Sequence, residues 1–234
     1  MKSSADSRQV LDNPVWHAIS DGHAHLGLAK GQAVVYHPEV SPFAGLEHVT
    51  EQSLNDLSRL VPNHGIAAVM TDSESLPKTS NWHELASYYV SQMIYVGEDT
   101  APTYEHAELS FGDVPNMIEL VRLTEPGPFD ARTIEFGTYL GVYQGDQLLA
   151  MAGERLRPTG WVEISGVCTH PSARSQGFAA ALVKELVARA GTRHEQVFLN
   201  VLKGSPSEST ALGVYERLGF QFHQTITIFA LQKH

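Results

Sequence analysis

The stretch that most constrains this chain is VEISGVCTHPSARSQGFAAALVKEL, Val162 to Leu186, where an apolar run (Ile164 to Cys168) passes through a polar, glycine-containing turn straight into an amphipathic helix. The first turn of any helix exposes N–H groups without internal partners, backed by the positive end of the helix dipole. A strand feeding such a turn is therefore an anion site by construction. Gly177 lets the backbone approach a phosphate, Ala179 keeps the next turn slim, and Arg174 adds a charge. An ordinary helix start, with glycine merely allowing a sharp turn, reads the same way on this stretch alone. The usual nucleotide loops are excluded, because neither G-x-x-x-x-G-K-[ST] nor G-x-G-x-x-G is present here.

Composition narrows the partners. With 16 Lys+Arg against 26 Asp+Glu the formal charge is −10, and no cluster of basic residues forms a phosphate-tracking stripe, so nucleic acid is not an expected partner. An acidic surface tolerates a cationic substrate such as an amine. Cys168 is the only cysteine, so no internal disulfide forms and a cytoplasmic location is expected. The start of the chain lacks an apolar signal core, and no run reaches the roughly 18 apolar residues that cross a bilayer, so no membrane is expected. His23 and His25 are placed on one face of a strand, as a metal pair would be, but no third ligand is in view and no metal is expected.

The 234 residues, 42% of them hydrophobic, suffice for one large domain or two small ones. In the first half, HAHLGLAKGQAVVYHP predicts two short strands joined at Lys30-Gly31, Ser53 to Leu60 a helix, and Gly65 to Met70 and Ser91 to Val96 strands. Trp82, Tyr88 and Tyr89 are expected in the core, with the lining of a substrate pocket as the alternative for one of them. The polar segment Gly97 to Glu108 carries the boundary, giving domains 1–104 and 105–234. In the second half Asp113 is expected to cap a helix over Val114 to Leu123. Tyr139 to Tyr143, Leu148 to Leu156 and Trp161 to Thr169 read as three consecutive antiparallel strands, turned by QGDQ and RPTG. A helix from Gly177 to about Ala190, a strand Val197 to Val201, a helix to Leu218 and a strand near Thr225 to Leu231 complete an α/β chain.

The spacing Arg174, Gly177, Ala179 after this strand resembles the acyl-CoA pyrophosphate motif of the GNAT acetyltransferase superfamily. ALGVYERLGF, Ala211 to Phe220, resembles the family's tyrosine-bearing C-terminal helix ending at Leu-Gly-Phe. With LLAMAGERL ahead of them, the likeness is to the FR47-like branch, related to glycine N-acyltransferases, and covers about residues 105 to 234. It implies a GNAT fold, with a mixed, mostly antiparallel central sheet flanked by helices, and for the first half at most a degenerate partner of that fold. It implies acetyl-CoA as cofactor and transfer to a primary amine of a small molecule or amino acid. A non-catalytic acyl-CoA sensor and a protein or peptide acetyltransferase share these motifs, and the chain would be a monomer or homodimer.

Site residues follow from the resemblance. The amides of Arg174, Ser175, Gln176, Gly177, Phe178 and Ala179 would hold the pyrophosphate. Val167, Cys168 and Thr169 would pair with the pantetheine arm, an N–H near Val167 or Cys168 polarising the thioester carbonyl. Tyr215 stands where the family places the general acid. Glu163, eleven residues before Arg174, matches the spacing of the catalytic glutamate in the histone acetyltransferase branch and would deprotonate the amine, with water as the alternative and Glu135 and Glu154 as fallbacks. Strand alternation puts Glu163 with Ser165 and Val167, on a face that solvent could cover instead. Two positions depart from the pattern. Ser175 replaces a glycine and is tolerated if its side chain points outward, while Glu208 replaces an asparagine that touches the cofactor arm, a role Asn200 can fill. Cys168 reads as a small buried hydrophobe and His170 as shaping the strand end. Glu125 and Phe129, in the stiff loop LTEPGPFD, are expected to touch substrate.

Overall fold

The computed structural model describes residues 8–98 and 105–234. The elements of the first half are α1 (Pro14–Ser20), β1 (Gly27–Lys30), β2 (Ala33–Tyr36), β3 (Phe43–Leu46), α2 (Glu51–Ser58), β4 (Ile66–Thr71) and β5 (Trp82–Tyr95). Those of the second are β6 (Ala107–Glu108), α3 (Val114–Thr124), β7 (Tyr139–Gln144), β8 (Gln147–Glu154), β9 (Trp161–Thr169), α4 (Phe178–Thr192), β10 (Gln196–Leu202), α5 (Glu208–Arg217) and β11 (Phe220–Lys233). Every helix and strand expected from periodicity is present, with longer bounds at β5 and β11, whose apolar patterns are interrupted by polar residues.

All eleven strands form one sheet in the order β1-β2-β3-β4-β11-β5-β10-β9-β8-β7-β6. Each half repeats one plan: three antiparallel strands, a helix, then a strand parallel to the third, β4 beside β3 and β10 beside β9. The last strands are exchanged. β5 pairs with β10 rather than β4, β11 pairs with β4 rather than β10, and the two pair with each other. The expected boundary residue 104 lies outside the described residues, and strands of both halves interleave at the centre of the sheet.

Four apolar clusters follow, one of them joining Met117 and Leu120 of α3 to Leu148 and Met151 of β8. α2 packs Leu54 and Leu57 on Val35, Val69, Phe229 and Leu231, while α4 packs Leu182, Leu186 and Val187 on Val162, Ile164 and Leu199. Between the halves a central cluster joins Tyr36, Phe43 and Met70 to Trp161, Phe198 and Ile226. Burying each such side chain contributes about 1.5–3 kcal/mol, and the first half covers the inner face of the second as far as Trp161 and Phe198.

Three expectations are corrected. Asp113 does not cap α3: it ends a short 3-10 turn with helical backbone angles, and its carboxylate accepts from Ser110 N (2.8 Å) and the Tyr143 hydroxyl (2.7 Å). Tyr88 and Tyr89 are exposed, because β5 runs on past the end of β10 there, whereas Trp82 is buried and donates to Leu54 O (3.0 Å). His23 precedes a 3-10 turn rather than lying in a strand, buried with its Nδ1 2.9 Å from the Tyr36 hydroxyl.

Candidate active site

The site grows out of a divergence between two strands. β10 pairs with β9 only over Gln196, Val197 and Phe198, opposite Trp161, Val162 and Glu163. Beyond that point β10 keeps only β5, and Ile164 to Thr169 of β9 keep only β8, leaving one edge of β9 open among the described residues. Within this stretch β9 carries an extra residue relative to β8: Met151 faces Cys168 while Gly153 faces Ser165. Such a bulge twists a strand and re-aims its amides. Gly166 sits in it with φ +61°, a left-handed conformation that costs other residues about 1–2 kcal/mol. Ser165 to Val167 are partly exposed although β9 is otherwise mostly buried.

At the end of β9 the His170 ring accepts from Ser172 N (3.3 Å) and lies 2.7 Å from its hydroxyl, closing the strand as expected. Arg174 is extended, Ser175 is left-handed (φ +64°) and Gly177 again left-handed (φ +84°) before α4 begins. No side chain caps α4. Arg174 to Gly177 are exposed, and the start of α4 turns the positive end of its dipole towards them, an arrangement suited to an anion. The glycine usual at position 175 is explained by backbone rather than by side-chain direction. Open strand edge and uncapped helix start together fit a ligand with an extended, amide-bearing arm and a diphosphate.

Tyr215 of α5 is half-buried, packs on the α4 core and meets the Phe220 ring edge-on at 5.8 Å. Burial, and then the nearby Cys168 thiol, hold its phenol well above the usual range, so it stays protonated. The Cys168 thiol is pushed up to about 12, first by burial, which leaves it a hydrophobe rather than a nucleophile. Glu208 is turned on its own loop, accepting from Gly204 N (2.7 Å).

Glu163 is buried and fully engaged. It is 0% exposed, and both its oxygens are held by Arg155, at 2.8 Å from Nε and 2.6 Å from Nη2. Leu156 N (3.3 Å) and Asn200 Nδ2 (2.8 Å) add further donors. The face that alternation left open to solvent is covered by the first half: Arg155 lies over the Phe43 ring, 5.0 Å from its centroid. Burial works against the Arg155 charge, while the Glu163 carboxylate, followed by Tyr139 and Tyr36, holds its pKa above the ordinary value. The fallbacks are equally engaged. Glu154 is buried between Arg157 (2.6 Å) and Arg193 (2.5 Å), and Arg132 holds Glu135 below the usual carboxylate range by hydrogen bonds of 2.6 and 2.8 Å.

Of the expected substrate residues, Phe129 meets Tyr139 edge-on at 5.8 Å, and the Tyr139 ring lies against Gly153 and beside Gly166, so Phe129 is linked to the bulge only through Tyr139. Glu125 is exposed at the left-handed end of α3, and no contact ties it to the bulge. Tyr139 and Arg155 were missed. Arg155 was within reach of the sequence: a hairpin turning at RPTG sets Arg155 opposite Glu163, and their backbones do pair there (Arg155 N to Glu163 O, 2.9 Å).

No helix among the described residues is long and apolar enough to cross a membrane. The FR47-like protein family matches residues 139–228. A search of curated proteins finds no match. Among solved structures, a protein of Novosphingobium aromaticivorans DSM 12444 assigned to the GNAT acetyltransferases is 30% identical with a TM-score of 0.85, covering 96% of this chain and 98% of that one. A GCN5-related N-acetyltransferase from Kribbella flavida (16% identity, TM-score 0.60, 92% and 93% covered) shares the fold. So does a GNAT-family acetyltransferase from Colwellia psychrerythraea (14%, 0.53, 98% and 97%). A bulged strand that parts from its parallel neighbour beside an uncapped helix, in a sheet shared from end to end with a 30% identical relative, places this chain in the GNAT family of acetyltransferases.

Proposed function

We propose that this protein is an acetyl-CoA-dependent N-acetyltransferase acting on a primary amine of a small molecule or amino acid. The observation that carries it is the open edge of β9 at its bulge, next to an uncapped α4. Bound there, acetyl-CoA supplies an activated acyl group as its thioester. The amides of Arg174 to Ala179 hold the diphosphate, and the β9 edge at Val167 to Thr169 takes the pantetheine arm. An amide near Val167 or Cys168, re-aimed by the bulge, donates where oxyanion charge develops. Tyr215, protonated and close to Cys168, donates to the departing thiolate. With Glu163, Glu154 and Glu135 all ion-paired, water beside the partly exposed Ser165 to Val167 takes the proton of the amine.

The test is transfer of labelled acetyl from acetyl-CoA to a panel of primary amines and amino acids. At least one acceptor is expected to be labelled, and Tyr215→Phe to lower kcat by about 10²–10⁴ with a changed pH profile. Cofactor binding without transfer to any amine would overturn the reading.

A further inference from the structure

We propose that Asn200 binds the acceptor rather than the cofactor: its amide oxygen takes a hydrogen bond from the amine that receives the acyl group. This rests on the N-acetyltransferase reading. Along β10, Val197, Leu199 and Val201 point into the core beneath α4, while Phe198 lies in the central cluster on the opposite face. Alternation places Asn200 on that opposite face too, next to Glu163. The uncapped start of α4, which receives the diphosphate, belongs to the other side of the sheet.

The orientation of the Asn200 amide is dictated. Glu163, ion-paired at both oxygens with Arg155, can only accept, so the Asn200 amino group must face it (2.8 Å) and the amide oxygen must face away. That oxygen is buried and has no hydrogen-bond partner among the described residues. Its neighbour across the strands, Gln92, is turned elsewhere: its amino group donates to Leu11 O (3.2 Å), its oxygen accepts from Gln224 (3.0 Å), and it gives Asn200 no hydrogen bond. A buried acceptor without a donor is unfavourable unless a ligand completes it. Asn200 stands two residues past the last β9–β10 pair, where the strands have parted, and as a residue it is partly exposed. The β9 edge offers backbone partners for cofactor amides in the plane of the sheet. The Asn200 oxygen lies off that plane, on the face opposite α4, and it matches an N–H donor. Glu163 and Arg155 act through it as positioning residues.

The experiment compares wild type with Asn200→Ala, using CoA and a panel of primary amines from methylamine to lysine and spermidine. Calorimetry should give CoA affinities within about twofold of each other, whereas KM for the best amine should rise by about tenfold, the loss of one hydrogen bond, at little changed kcat. In wild type, the Asn200 side-chain amide resonances should move when amine is added to the CoA complex and not when CoA is added alone, a readout independent of the variant's folding. A tenfold loss of CoA affinity, resonances that respond to CoA alone, or transfer with an unchanged amine KM would each overturn the assignment while leaving the enzyme reading intact. CoA binding with no transfer to any amine and no amine-induced shift would overturn both.

Discussion

The units β3–α2–β4 and β9–α4–β10 have the same connectivity, yet one is sealed and the other open. β3 has four buried residues, and the backbone of Trp16 in α1 packs directly against Gly45. The start of α2 is closed by its own side chains: Thr50 accepts from Ser53 N (3.1 Å) while Ser53 accepts from Thr50 N (3.1 Å). In the second unit β9 continues six residues past its last partner on β10, Gly166 bulges, and α4 begins without a cap. The comparison teaches that a helix start becomes a ligand site where the chain withholds the residues that would otherwise satisfy it. The point where the two strands of each unit part also differs. The last parallel pair is Ala44 with Val69 in the first, whereas it is the buried Glu163 with Phe198 in the second.

The largest expected effect comes from disturbing that point in the second unit. Glu163→Ala would strand Arg155 in the interior, and removing one partner of a buried pair costs about 3–5 kcal/mol, read as a lower urea midpoint. The double variant Arg155→Met/Glu163→Leu is expected to recover most of that loss. If Glu163→Ala stayed within about 1 kcal/mol of wild type, the pair would be solvated and Glu163 available as a base after all.

Next in size is a pH effect on the first half. Burial, followed by the charges of Arg157 and His25, lowers the His23 pKa to about 4. Its folded pKa lies below its unfolded value of about 6.5, so the unfolded chain binds the proton first and stability falls as pH drops from about 6.5 to 4. The full loss is roughly 3 kcal/mol, at one proton's slope of about 1.4 kcal/mol per pH unit. His23→Asn, which can still bond Tyr36, should remove this slope, and an equal slope in both proteins would locate the titration elsewhere.

Much of the open unit was legible in the sequence, since local pattern determines it. Arg174, Gly177 and Ala179 announce the turn, the apolar run announces β9, and the Leu-Gly-Phe ending places Tyr215. What could not be read depends on residues far away. Glu163 looks like a base on a half-polar strand until Phe43 and Tyr36, more than a hundred residues earlier, cover that face. Tyr88 and Tyr89 look like core until β10 ends before reaching them. The exchange of β5 and β11 has no local signature at all, because pairing partners in a sheet are chosen by tertiary packing rather than by strand propensity.

A smaller substitution separates stability from ligand binding in the sealed unit. Thr50→Ala removes the acceptor for Ser53 N and should cost about 1 kcal/mol while leaving CoA affinity unchanged. Ser53 alone can still reach the Thr50 amide, so the cap is weakened rather than abolished. A loss of CoA affinity in this variant would mean that the two helix starts are coupled through the shared sheet.

The smallest effect addresses the open unit at Ser175. Its φ of +64° costs an L-residue about 1–2 kcal/mol that glycine does not incur, while glycine adds about 0.4–1 kcal/mol of unfolded-state entropy. Ser175→Gly should thus stabilise the protein by roughly 0.5 kcal/mol, a shift of about 1–2 °C in melting temperature for a chain of this size. The sign discriminates more than the size. If the left-handed backbone is already formed without ligand, glycine helps or is neutral in the free protein, and CoA affinity hardly changes. If instead the turn adopts that backbone only around a diphosphate, the free protein gains nothing and Ser175→Gly tightens CoA binding by a few fold. Melting temperature and CoA affinity measured on the same pair of proteins decide whether the open helix start is preformed or completed by its ligand.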